Sequence, residues 1–457
     1  MSTSHTARRD LGDGLVARWS TAADTEGVAA LFGHVFREGP ESPINTVAME
    51  WIRDEMSGRH PLVGPNDTAL VEDTRRGTIV SASVYMRQQW EYAGIPVALG
   101  RTEPVATHED YRGRGLVRAT FDLCHQRSDE RGDLAQCITG IEYFYRQFGY
   151  EYAVELGGSR SVYLASVPPL KEGEQEKYRL RQAGLPDTAQ VMMLYERERT
   201  LHRGGQPVLV TAKMDTSYLQ WTLDGQNPAA GEGLTTYLIE RVEDGQAVGY
   251  VRVGRMRWRA ATIGIGGLMT EPSVPLTAVM PAVLRALKEL APQVPVSPSG
   301  KPGEPVRIGL WLGKDHPAHD AIGRELAVAE DPPYAYYVRV PDLPRFMHHI
   351  APALDRRLSG SSLSGYTGEL KLDFYRDGLR LEFERGKLKT AEPWRRPVWG
   401  DPRSGGFPPL VFLQLMFGRR SLDELRYAFP DVWANDEASM LLNTLFPKQP
   451  SWIANLV

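Results

Sequence analysis

Cysteine is almost absent from this sequence: its 457 residues carry two, Cys124 and Cys137. Two thiols without zinc-type spacing exclude a disulfide framework, and a pair of reduced, buried thiols in a cytoplasmic protein is expected. Long apolar runs are missing as well. No stretch of about 18 apolar residues occurs, so no membrane-spanning helix is expected. The opening MSTSHTARRDLGDG lacks the apolar core of a secretory signal, and residues 1–14 are read as disordered. Neither charge is in surplus: 53 Lys+Arg against 57 Asp+Glu leave a net charge of −4. Nothing in that balance asks for nucleic acid or an anionic membrane as partner.

What is present is enough apolar material, 42% of residues, for packed cores in two to four domains. An internal repeat organises it. Arg18, Asp24, Thr25, Val28 and Leu31 recur as Arg181, Asp187, Thr188, Val191 and Leu194, all at the same offset. Both copies read as a short strand, then an Asp-Thr pair suited to cap a helix, then apolar residues at helical spacing. Their ends also match: Tyr163, Val167, Pro168 and Leu170 recur as Tyr336, Val340, Pro341 and Leu343, at a slightly larger constant offset. The Pro/Gly-rich stretch 292–305 accounts for the longer second copy.

The expected units are 15–170 and 171–342. Strands are predicted at 78–87 and 93–105 in the first copy, and at 235–254 and 258–268 in the second. A helix follows in each, at 115–130 and 277–291, and then a strand–helix–strand passage near 134–165 and 306–340. The fold class is α/β (α+β), with two tandem mixed-sheet folds. Residues 343–457 form a third, α+β unit. It has a helix at 344–358, a hairpin around Asp377-Gly378, and helices at 408–418, 421–427 and 434–445.

The chemistry concentrates in Val105-Ala106-Thr107 followed by Tyr111-Arg112-Gly113-Arg114-Gly115-Leu116-Val117-Arg118. A strand ends, a Gly/Arg loop follows, and an amphipathic helix begins. Backbone N–H groups at such a helix start can cradle phosphate, and the glycines allow close approach. Arg114 and Arg118 add charge for a pyrophosphate or 3′-phosphate. Read as loop chemistry alone, the same residues could be a basic surface turn. Downstream, Gly140-Ile141 precede Tyr143-Phe144-Tyr145-Arg146-Gln147-Phe148-Gly149-Tyr150.

Together these segments resemble the Gcn5-related N-acetyltransferase (GNAT) superfamily. Its cofactor loop has the pattern Arg/Gln-x-x-Gly-x-Gly/Ala, and a Tyr-x-x-x-Gly-Phe/Tyr signature lies further on. Arg112, Gly115, Tyr145, Gly149 and Tyr150 fit, while Val117 takes the last small position. The run Arg112–Ala119 resembles the loop of enhanced-intracellular-survival (Eis) type enzymes, which have two tandem GNAT folds and a sterol-carrier-like C-terminal domain. The resemblance implies an acyltransferase that moves acetyl from acetyl-CoA to a primary amine, such as an aminoglycoside, a polyamine or a lysine. It implies that Val105, Ala106 and Thr107 meet the pantetheine arm and that Gly113, Arg114, Gly115, Leu116, Val117 and Arg118 bind pyrophosphate. Gly140 and Ile141 would line the rest of the channel. It further implies a homo-oligomer, a hexamer in the Eis type.

By the same resemblance, Tyr145 is the general acid that protonates the departing thiolate, and the terminal carboxylate of Val457 is the base. Glu103, on the strand before the loop, is the competing base. An acyl-CoA-binding protein without turnover, or a lipid-binding or scaffolding protein built on the third unit, stays open beside the enzyme. The second copy has no Arg/Gly loop: Pro272 and Pro275 stand in its equivalent and cannot donate N–H groups to phosphate. Asp315-His316-Pro317-Ala318-His319-Asp320 reads as a polar turn and cap rather than a metal site. His348-His349 reads as surface, and Glu38, Glu41 and Glu50 near Trp51 as a solvated acidic face. Leu370, Leu372 and Phe374 read as core or the wall of an apolar pocket.

Overall fold

The computed structural model describes residues 8–231, 233–257, 261–296, 303–327, 329–395 and 403–453. Among these, sheets of ten, seven and five strands make a mixed α/β fold. In pairing order the first sheet runs Arg9–Gly12, Leu15–Trp19, Thr68–Asp73, Thr78–Tyr92, Ile95–Thr107, Ala135–Ile138, Tyr334–Arg339, Glu151–Leu156. Val210–Lys213 pairs with the C-terminal half of Thr78–Tyr92 and carries Ser451–Trp452 beside it. The second sheet runs Ala329–Asp331, Ser159–Tyr163, Arg307–Leu310, Thr262–Thr270, Ala247–Gly254, Leu234–Arg241, Tyr178–Gln182. No described helix is long and apolar enough to cross a membrane.

The residues that repeat in sequence make the same contacts in space. Arg18 reaches Asp24 at 2.7 Å and Glu72 at 3.0 Å, and Arg181 reaches Asp187 at 2.9 Å and Glu240 at 2.5 Å. Each aspartate also accepts a backbone N–H three residues back, from Thr21 at 2.7 Å and Gly184 at 2.9 Å. One carboxylate thus closes the first turn and ties it to the preceding strand. The helices Thr25–Val35 and Thr188–Thr200 follow, burying Val28 and Leu31 in one copy and Val191 and Leu194 in the other.

The ends of the repeats are exchanged. Ser159–Tyr163 leaves the first sheet and lies antiparallel to Arg307–Leu310 and Ala329–Asp331 in the second. Tyr334–Arg339 does the converse, filling the place between Ala135–Ile138 and Glu151–Leu156. Boundaries at 170 and 342 therefore need correction: each sheet is completed by the last strand of the other copy. Local chemistry favours the second crossing. Pro332-Pro333 precedes Tyr334, and proline cannot take the positive φ that a two-residue hairpin turn requires.

Other departures are local. Arg9–Gly12 pairs with Leu15–Trp19, so disorder does not extend through 14; Asp13-Gly14, both at positive φ, form the turn. Residues 235–254 are two strands rather than one, and the helix Thr46–Glu55 adds an element that the sequence pattern does not announce. The third sheet holds the expected hairpin, Gly368–Asp373 with Gly378–Glu384, and adds Lys387–Pro393. Leu370, Leu372 and Phe374 are buried core, packed in one cluster with Phe346 and Leu415. His349 donates to the Pro96 carbonyl at 2.6 Å, tying the helix Leu343–Ser359 to the first sheet.

The exchange yields a test. A chain cut after residue 170 lacks the strand between Ala135–Ile138 and Glu151–Leu156, and we expect it to be aggregated or without fixed tertiary structure. Sharp, dispersed amide NMR resonances from that fragment would contradict the exchange.

Candidate active site

Ile95–Thr107 pairs along its length with Thr78–Tyr92, but its parallel pairing with Ala135–Ile138 covers only Leu99, Gly100 and Arg101. Beyond Arg101 the two strands diverge, and one edge of the backbone is left facing a fork. At its base, Glu103 Oε2 accepts from Arg101 Nε at 2.9 Å and from the Thr139 amide at 3.3 Å, while Oε1 accepts from the Thr139 hydroxyl. Arg101 is buried, so this carboxylate serves as its counter-ion.

A cavity of about 850 Å³ opens from the fork. The Gly/Arg loop forms one wall. Gly113 and Gly115 sit at φ +75° and +76°, a left-handed conformation that other residues adopt at a cost. Gly115 caps the helix Leu116–Arg131, whose first internal hydrogen bond runs from Ala119 N–H to the Gly115 carbonyl at 3.1 Å. The N–H groups of Leu116, Val117 and Arg118 lie ahead of that bond and carry no helical acceptor. The exposed side chain of Arg118, resting 4.8 Å over the Phe148 ring, adds positive charge to the positive end of the helix.

Tyr145 stands across the cavity, on the 3-10 turn Phe144–Phe148. Its ring lies between Phe121, stacked at 5.7 Å, and the edges of Phe144 at 5.2 Å and Tyr337 at 5.4 Å. Burial, then the nearby Glu103 charge, push its phenol well above the ordinary tyrosine range, so it holds its proton at neutral pH. The arrangement combines a helix start with open N–H groups, an open strand edge and a protonated phenol.

Of the expected residues, Glu103, Val105, Thr107, Gly113, Gly115, Leu116, Val117, Arg118, Gly140, Ile141 and Tyr145 line this cavity. The side chain of Ala106 does not: it is buried on the opposite face with Val28, Phe32 and Val84, as strand alternation dictates. Nor does that of Arg114, which folds outward over Tyr111 at 5.0 Å and bonds the Asp110 carbonyl at 3.2 Å. Val457 lies outside the described residues. The chain before it is placed: Trp452 is buried, 5.9 Å from the Tyr195 ring and 4.9 Å from the Arg203 guanidinium.

Sequence motifs missed Val35, Phe36 and Trp51, which supply the apolar wall from two helices far from the loop in sequence. Glu50, beside Trp51, is held by Arg53 at 2.6 Å and the Asn227 amide at 2.8 Å. His316 and His319 are buried; the His316 ring accepts from Ala318 N–H at 3.1 Å, and the His319 ring bonds the Gly313 carbonyl at 2.9 Å. Among the described residues, one trio could approach a cation: His34, His108 and Glu109, with ligand atoms within 4.8 Å. The Glu109 carboxylate in it is already shared by His34 and Arg37, each at 3.0 Å.

Residues 17–153 match the family profile described as an acetyltransferase (GNAT) domain. The fold is GNAT-like. Three solved structures resemble nearly the whole chain. A GCN5-related N-acetyltransferase from Kribbella flavida is 18% identical over 99% of this chain and 100% of its own, with TM-score 0.63. A probable N-acyltransferase from Enterococcus faecalis is 15% identical over 96% and 99%, with TM-score 0.64. Eis1 from Mycobacterium abscessus is 14% identical over 95% and 98%, with TM-score 0.56. At these identities the likeness concerns fold. No curated protein matches the sequence significantly. The GNAT match ends at 153 and so takes in the fork, the loop and Tyr145.

The loop backbone makes a prediction. Gly115→Pro removes an N–H and cannot adopt φ +76°. We expect acetyl-CoA affinity to fall by about 100-fold or more, on the order of the loss of one or two charge-assisted hydrogen bonds. Calorimetry that finds unchanged affinity in a folded variant would remove the loop from the cofactor site.

Proposed function

We propose that this protein is an N-acetyltransferase that moves acetyl from acetyl-CoA directly to a primary amine. The observation that carries this reading is one continuous cavity that joins the open N–H groups of residues 116–118 to the buried phenol of Tyr145. The GNAT match over the same residues supports it. The loop and helix start would hold the pyrophosphate, and the unpaired edge of Val105–Thr107 would hold the amide-bearing arm. Val35, Phe36 and Trp51 exclude water from the reacting end.

In this reading acetyl-CoA supplies an activated acyl carbon and a thiolate leaving group. The amine nitrogen bonds to that carbon, the carbon–sulfur bond breaks, and Tyr145 gives its Oη proton to the sulfur. The nitrogen must then release a proton. Glu103 already accepts from Arg101 and twice from Thr139. As the Eis-type resemblance implies, we propose the carboxylate of Val457 as the proton acceptor, with Glu103 as the competing base. The described end of the chain runs in a direction that favours this. Ser451–Trp452 is parallel to Val210–Lys213, which is antiparallel to Thr78–Tyr92, so it points the same way along the sheet as Ile95–Thr107. The acceptor is an aminoglycoside, a polyamine or a lysine side chain, and thiol release from acetyl-CoA across an amine panel selects among them. No thiol release with any amine would sink the enzymatic reading.

Two variants test the roles. Tyr145→Phe should lower turnover by about 10²–10⁴-fold with acetyl-CoA affinity nearly intact. Wild-type turnover would mean that water or another group protonates the thiolate. One glycine added after Val457 shifts the carboxylate by about 3.5 Å, a displacement catalysis does not tolerate. Most turnover should be lost while acetyl-CoA still binds. Full activity would transfer the base role to Glu103.

A further inference from the structure

The segment 139–143 forms the far wall of the cavity, with Gly140 and Ile141 facing it. It has little backbone support of its own. Gly140 sits at φ +95° and Tyr143 at φ +58°, and the main-chain bond closing the segment is Phe144 N–H to the Ile141 carbonyl at 3.3 Å. Glu103 takes the Thr139 amide and hydroxyl at its start, and three phenols meet three further backbone groups. Tyr334 donates to the Gly140 carbonyl at 3.2 Å, Tyr337 donates to the Ile141 carbonyl at 3.0 Å, and Tyr152 accepts the Tyr143 amide at 2.9 Å. The phenol oxygens also meet each other, Tyr152 lying 2.6 Å from Tyr337 and 2.9 Å from Tyr334. Tyr337 stands within donating reach of both the Ile141 carbonyl and the Tyr152 oxygen, so the three phenols and the two carbonyls form one shared network.

Two of these phenols do not belong to the first repeat. Tyr334 and Tyr337 stand on the exchanged strand, and Tyr337 also packs its ring against Tyr145. The third unit joins in, with Arg419 donating to the Tyr152 carbonyl at 3.1 Å. Burial raises the Tyr337 phenol above its ordinary range, and burial first of all pushes Tyr334 up to about 12, so both remain donors at neutral pH.

We infer that Tyr334 and Tyr337 are positioning residues for the acyl-CoA site: the second repeat, which has no phosphate loop of its own, holds the cofactor wall of the first in its binding shape. This rests on the acetyl-CoA reading of the cavity. Without the phenols, segment 139–143 would sample other conformations, and binding would have to select the competent one. The acid itself keeps its place, because phenylalanine preserves the ring that packs on Tyr145.

The test uses the full-length protein. Tyr337→Phe should raise the Kd and KM for acetyl-CoA by about fivefold, and Tyr334→Phe/Tyr337→Phe by about tenfold or more, the scale set by one and two hydrogen bonds. In both, kcat at saturating acetyl-CoA should stay within about twofold of wild type, the reverse of the split for Tyr145→Phe. Unchanged Kd and KM in the double variant, or a loss confined to kcat, overturns the inference. Tyr334→Phe alone alters a half-exposed side chain and serves if the buried site does not tolerate change; with it, an unchanged Kd again counts against the inference. Wild-type protein that fails to bind acetyl-CoA removes the underlying reading instead.

Discussion

The exchange of terminal strands is the constraint on which the rest depends. A sheet buries its hydrophobic faces and satisfies its backbone only when each strand has neighbours. Here Ala135–Ile138 and Glu151–Leu156 are neighbours in sequence but not in the sheet; both pair with Tyr334–Arg339. The connection between them, residues 139–150, carries Gly140, Ile141 and Tyr145. It therefore spans a gap whose width is set by a strand from the far end of the second repeat. The geometry of the candidate site is a long-range property, although the residues lining it lie in the first third of the chain.

The two repeats share a frame but not a cavity, and the difference is physical. Arg307–Leu310 occupies in the second sheet the place that Ala135–Ile138 holds in the first, so Trp311 corresponds to Thr139. In the first copy Thr139 is small and reaches Glu103 across the fork. In the second the indole of Trp311 lies over Gly264 and Gly309, so close to Gly264 that a Cβ there would clash with it. The helix Leu276–Leu290 begins after Pro275 with φ −70°, where the first copy has Gly115 in the left-handed region. A further change suits that copy to packing. Glu198 stands at the repeat position of Val35 and is buried against Tyr250, the Leu268 amide and His316. The second copy contributes its last strand to the first sheet.

How much of this is legible in the sequence follows the range of each interaction. The Gly/Arg loop and Tyr145 are legible because their signals are local: left-handed glycines at a helix start and an aromatic signature a short distance on. The Arg18/Asp24 and Arg181/Asp187 pairs are legible as a repeat for the same reason, since one side chain closes one turn. Adjacency puts Ala106 in the site, whereas period-two alternation sends its side chain to the other face. The basic side chain of Arg114 reads as a phosphate ligand, yet Tyr111 and the Asp110 carbonyl offer it a nearer home. Val35, Phe36 and Trp51 carry no motif, because an apolar wall is assembled by packing and any large side chain at those positions reads as core. The exchange is the least legible. The matched ends Tyr163–Leu170 and Tyr336–Leu343 mark the strands involved, but sequence similarity between two strands does not say which sheet each one joins.

The fork itself bears on the ligand proposed for this cavity. Backbone pairing between Ile95–Thr107 and Ala135–Ile138 stops at Arg101 and Cys137, and the next link is made by the Glu103 and Thr139 side chains. Past that link the strand edge has polar groups with no sheet partner, at the mouth of a cavity walled largely by apolar side chains. Such groups must be met by water or by a ligand that presents its own amides along the strand. Closing the fork by continued pairing would demand that Glu103 give up Thr139, leaving buried Arg101 with a less constrained counter-ion. The Arg101–Glu103–Thr139 link thus marks the point where sheet pairing ends and the cavity begins, and in the proposed reading an extended, amide-bearing arm completes the strand edge there.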